Sequence, residues 1–170
     1  MAKGTLPAAA GFSAATIKVW DPVVRFFHWT IVTGVVLNLW VFEHGKYAHR
    51  VTGYVVVGAL AIRLVWGMVG TRHARFSDFF PTPRRVIGHV FALWRGEDER
   101  QLGHSPLGAL MMFALMTILA GLGLTGWIMG LDAFWGVKWV ENLHGLLANS
   151  IMVLAILHVA AAVVESVRHR

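Results

Sequence analysis

The chain has 170 residues, of which 56% are hydrophobic and only 14% charged, with a mean hydropathy of +0.61. A soluble domain of this size usually carries about a quarter charged residues, so the composition points to a membrane protein. The lack of cysteine excludes disulfides, Cys-ligated zinc, iron–sulfur clusters and haem attachment through Cys-x-x-Cys-His. The basic excess of +6 is sorted by loop, as topology requires, and does not imply a nucleic-acid partner.

Residues 1–19 are small and weakly polar and are expected to form a flexible tail, without the long apolar core of a cleavable signal peptide. The remaining 20–170 is expected to be one all-α domain, an integral membrane four-helix bundle. Its first span, about 26–42, reads FFHWTIVTGVVLNLWVF and carries no formal charge. A second, 51–71, is interrupted only by Arg63. The loop over 72–104 contains PRRVIGHVFALWR, in which Val86, Ile87, Val90, Phe91 and Trp94 fall on one helical face behind Pro83. That pattern predicts an interfacial helix over 83–95. The third span covers 106–131 and the fourth 143–164. Each approaches or exceeds the roughly 20 residues that cross a hydrocarbon core, where every backbone group must be bonded within the helix.

Orientation follows from the cations. Lys3, Lys18, Arg25, Arg72, Arg75, Arg84, Arg85, Arg95, Arg100, Arg168 and Arg170 lie on one side, and Lys46, Arg50 and Lys138 on the other. Eleven against three predicts cytoplasmic termini. Trp29, Trp66 and Trp127, near span ends, read as interface anchors.

The histidines then sort by depth. His28 opens the first span on the inner side, while His49 and His144 lie at the outer ends of the second and fourth. His158 follows His144 by 14 residues (158 − 144), a rise of about 21 Å at a rotation roughly 40° short of four turns. Both imidazoles therefore share a helix face. The result is an outer pair, His49 with His144, and an inner pair, His28 with His158. His44 competes with His49 for the outer position and His104 with His28 for the inner one. His73, His89 and His169 fall in loops or the tail and are expected to be solvated.

Paired imidazoles at two depths suit two haem irons, each taking axial ligands from facing helices. Gly34, Gly53, Gly58, Gly121, Gly123 and Gly126 offer room for a porphyrin edge, with helix packing as the competing role. Arg63, 14 residues after His49, is placed near the inner level. It is expected to pair with a haem propionate, because no Asp or Glu falls at comparable depth and Glu165 is the nearest. Snorkelling is its alternative.

DPVVRFFHW, HRVTGY with RLVWG, SPLGAL, LTGW and LHGLLANSIMVLAILH together resemble the bacterial cytochrome b-561 family. That superfamily includes the b-type cytochrome subunits of nickel–iron hydrogenases. The resemblance runs from about Ile17 to Glu165, and its most specific elements are the two histidines of the fourth span and the His-Trp of the first. It implies a multi-pass protein of the bacterial inner membrane binding two haem b, with His28, His49, His144 and His158 at the ligand positions. It also implies electron exchange between the quinone pool and a partner, such as a periplasmic c-type cytochrome. A homodimer is compatible with this. The alternatives are a haem-binding anchor subunit of a hydrogenase or other redox complex and, from a different class, a His-lined metal-ion transporter. The absence of paired intramembrane carboxylates weighs against the transporter.

Overall fold

The computed structural model describes residues 21–71, 74–96 and 105–168. The expected tail, His73, His104 and His169 lie outside these residues. The fold is all-helical, with no strand among the described residues. Helix α1 (Pro22–Val36) continues through a π turn (Leu37–Val41) and is followed by α2 (Tyr47–Val69). Two shorter helices, α3 (Phe76–Phe79) and α4 (Pro83–Trp94), precede α5 (Pro106–Ile128) and the long α6 (Lys138–Arg168). Four stretches are long and apolar enough to cross a membrane, Pro22–Val41, Tyr47–Val69, Pro106–Ile128 and Lys138–Val167.

The helix starts follow from local chemistry. Asp21 caps α1 by accepting the Val23 amide at 2.8 Å, and Pro22 fills the first helical position, where no amide hydrogen is needed. Ser105 and Pro106 repeat the device at α5, with Ser105 Oγ accepting from Gly108 at 3.1 Å. The turn between α1 and α2 passes through Gly45 at φ 75°, a left-handed conformation that glycine adopts without strain.

Backbone packing runs α1 against α2, α2 against α5, and α5 against α6. Val56 and Leu60 of α2, Met116 and Leu119 of α5 and Ile151 of α6 form the buried core, lined by Phe27, Ile31 and Val35 of α1. In lipid, apolar burial alone does not hold helices together, so close backbone approach matters more. A Cβ on Gly34 would overlap Val56 Cγ2, and one on Gly123 would overlap Val57 Cγ2. One on Gly121 would sit 3.0 Å from a Leu147 methyl. These three glycines serve the α1–α2, α5–α2 and α5–α6 contacts respectively. Only 6% of the α1 and α6 spans is buried, against 22% for α2 and 17% for α5. The two outermost helices of this series therefore carry the least-covered surfaces, and both carry histidines.

Candidate functional site: two histidine pairs

His28 on α1 and His158 on α6 have ring centres 6.5 Å apart with planes inclined at 61°. His49 on α2 and His144 on α6 are 6.3 Å apart at 68°. The backbones of α1 and α2 make few close approaches to α6, so side chains bridge this side of the bundle. His44, in the α1–α2 turn, lies 5.6 Å from His49 and is exposed. It stands beside the His49–His144 pair. His89, expected in solvent, is half-buried on α4.

The spacing can be tested against haem. Two imidazoles bound through nitrogen to one metal at about 2 Å, with each ring centre about 1.15 Å behind its nitrogen, have centres about 6.3 Å apart. Both pairs match this separation. Direct hydrogen bonding between the rings is not what holds them, because neither pair forms such a bond among the described contacts. His49 Nδ1 is buried without a well-formed partner, the backbone of Asn38 being the polar group beside it. Asn38 belongs to the π turn, and its Oδ1 is also buried and unpaired. Such turns frequently mark functional positions. The donor set fits haem.

A sequence profile for the family described as "Prokaryotic cytochrome b561" matches residues 19–170. The chain belongs to that family. Curated relatives include proteins called "Probable Ni/Fe-hydrogenase B-type cytochrome subunit". The one from Rhodobacter capsulatus is 27% identical, with 91% of this chain and 77% of the relative covered. The Bradyrhizobium diazoefficiens protein is 24% identical over 91% and 81% of the two chains. That from Azotobacter vinelandii is 24% identical over 76% and 65%. No solved structure matches significantly. The family membership and the four apolar spans make this a membrane b-type cytochrome, with haem b as its cofactor.

Within this cytochrome, the remaining expected residues fall into distinct places. Gly126 borders His144, where a Cβ would lie 3.5 Å from the ring's Cε1. Gly53 lies beneath Asn38, 3.9 Å from its Nδ2 on the same measure, and Gly58 has open space on its Cβ side. Gly34 is occupied with Val56, as described above. Thr125 was not distinguishable in the sequence from an ordinary helical threonine, yet its hydroxyl is 2.8 Å from His144 Nδ1.

Arg63 is 1% exposed, with its guanidinium 4.5 Å over the Phe76 ring and one nitrogen, Nη1, unpaired. A cation held on an aromatic face is stabilised by the ring quadrupole. Gly67 makes this possible: a Cβ there would overlap the Phe76 ring. Glu165 was expected to be the acidic residue nearest Arg63, but the carboxylate whose field reaches it is that of Asp21, with no ion pair between the two among the described residues. Asp21 precedes the first span, but as the cap of α1 it reaches the end of α2. There its carboxylate accepts from Trp66 Nε1 at 3.1 Å and from Thr71 Oγ1 at 2.8 Å. Trp66 is thus more than an interface anchor. Arg63 Nη1 is left without a hydrogen-bond acceptor.

Proposed function

We propose that this cytochrome holds two haem b groups, one between His28 and His158 and one between His49 and His144. In this reading it exchanges electrons between the quinone pool and a redox partner such as a periplasmic c-type cytochrome. The observation that carries the reading is the pair of imidazole separations, 6.5 and 6.3 Å, at two levels of one helix. Haem, when bound, supplies one-electron chemistry at its iron. The chain would supply imidazole nitrogen donors from three helices, with the His49, His144 and His158 rings partly buried and the His28 ring on the exposed surface of α1. The levels are separated by about 21 Å along α6 and so fit within one bilayer of about 30 Å. The eleven-to-three cation asymmetry supports cytoplasmic termini, which makes His28–His158 the inner level. Arg63, buried with a free Nη1, supports recognition of an anion such as a propionate at that level.

The relatives' names favour a second reading, in which the same relay serves as the membrane subunit of a hydrogenase. The haem content comes first. A pyridine haemochrome assay on the purified chain is expected to give two haem b per polypeptide. One haem at full occupancy overturns the two-level reading, and none overturns both readings. Mild solubilisation followed by identification of co-purifying chains then separates them. A stoichiometric hydrogenase partner selects the subunit reading, and quinol-driven reduction of the isolated chain selects the first.

A further inference from the structure

We propose that Thr125 is a positioning residue for His144, fixing its imidazole as the Nδ1–H tautomer so that Nε2 carries the free lone pair. Thr125 sits on α5, 5% exposed, and its Oγ1 has three polar neighbours. These are the Gly121 carbonyl at 2.7 Å, the Leu122 carbonyl at 3.2 Å and His144 Nδ1 at 2.8 Å. The hydroxyl has one proton, and carbonyl oxygens only accept. If that proton went to His144, two oxygen lone pairs would face each other at the Gly121 contact with no hydrogen between them. The proton therefore belongs to the carbonyls of the preceding turn. The hydroxyl oxygen is left as an acceptor toward Nδ1, which must bear a hydrogen. A neutral imidazole protonated at Nδ1 presents its lone pair at Nε2.

The two members of this pair are consequently held in different ways. His144 is held through a chain that runs from its ring to Thr125 and on to the α5 backbone, with the Leu122 carbonyl of the same turn also beside the ring. His49 Nδ1 has no equivalent partner of good geometry. The consequence for an iron rests on the dihaem reading, whereas the tautomer does not. An Nδ1–H that donates to the threonine oxygen makes Nε2 a stronger electron donor, which favours oxidised iron and lowers the potential at the His49–His144 level.

The test compares full-length Thr125→Val, which keeps the shape and loses the hydroxyl, with Thr125→Ser, which keeps the hydroxyl. Redox titration of the purified proteins is expected to show a raised midpoint potential for the His49–His144 haem in Thr125→Val alone. That variant should also retain this haem roughly tenfold less tightly. The other haem should not move. An unchanged potential in the valine variant, or a serine variant shifted as far as valine, overturns the assignment. If the wild-type chain proves to lack haem at this level, the dihaem reading fails and the tautomer is read directly. The 15N resonances of histidine-labelled, haem-free protein serve for this, with His144 assigned by its loss in His144→Ala. An Nδ1–H signature that changes in Thr125→Val and persists in Thr125→Ser upholds the role of Thr125; an Nε2–H signature in the wild type, or an Nδ1–H signature unchanged in the valine variant, overturns it.

Discussion

The Asp21 carboxylate accepts the indole N–H of Trp66 at 3.1 Å, joining residues 45 positions apart and tying the first turn of α1 to the last turn of α2. Partial burial by itself would raise the Asp21 pKa. The hydrogen bonds from Thr71, Trp66 and the Val23 and Val24 backbone outweigh it and hold the carboxyl below its ordinary 3.8. The folded state therefore prefers the carboxylate. Its contribution to stability is complete above the unfolded pKa and is lost as pH falls through the folded one. Thermal melts in detergent should show stability dropping from about pH 5 downward in the wild type. Asp21→Asn, which still caps the helix, should flatten that slope. Asp21→Ala should lose about 1–3 kcal/mol at neutral pH through the missing cap and unsatisfied donors.

The proposed pairing gives a second outcome. His28→Ala and His158→Ala should each remove the same haem, and His49→Ala and His144→Ala should each remove the other, as resolved by low-temperature absorption spectra. His44→Ala should leave both, because the ring paired with His144 at 6.3 Å is that of His49 and His44 is exposed in the turn. Loss of a haem in His44→Ala would transfer the ligand role to the turn.

Arg63 separates two electrostatic accounts. Replacing a buried cation by leucine near a haem propionate disfavours the electron-rich reduced state. The expected shift is on the order of 1 kcal/mol, which corresponds to tens of millivolts. Arg63→Leu should therefore lower the potential of the His28–His158 haem and leave the other within error. If redox titration finds neither moved, Arg63 serves packing against the Phe76 ring and not recognition of a propionate.

Glycine substitutions divide by what faces them. Gly34→Ala and Gly123→Ala would drive a methyl into Val56 and Val57 and should destabilise the bundle by about 1–3 kcal/mol. Gly58→Ala meets open space and should be neutral or stabilising by up to about 1 kcal/mol. Equal melting temperatures for all three would mean that the helices separate easily enough to admit the extra carbon.

The helices and the relative placement of His144 and His158 were readable from the sequence because both depend on rise and rotation along single helices. Fourteen residues place His158 relative to His144 whatever surrounds them. Thr125 and Asp21 were not readable, since their roles depend on which helices become neighbours. Thr125 matters because α5 lies beside α6, and Asp21 because the end of α2 returns to the start of α1. Gly34 was ambiguous for a related reason. Its apolar neighbourhood looks the same in sequence whether a porphyrin or Val56 fills the space. The π turn at Leu37–Val41 left no signature, as no proline or glycine marks it.

His144 and His158 occupy one helix, Lys138–Arg168, that contains no proline and no break. Their separation is therefore set by covalent geometry and does not change with bilayer thickness or helix tilt. A thinner or thicker membrane can submerge or expose the ends of α6 without altering the distance between the two histidines. The helix works as a ruler, graduated at about 1.5 Å per residue. A four-residue insertion between the histidines would lengthen it by about 6 Å and nearly preserve the shared face, whereas a single inserted residue would turn one imidazole away by about 100°.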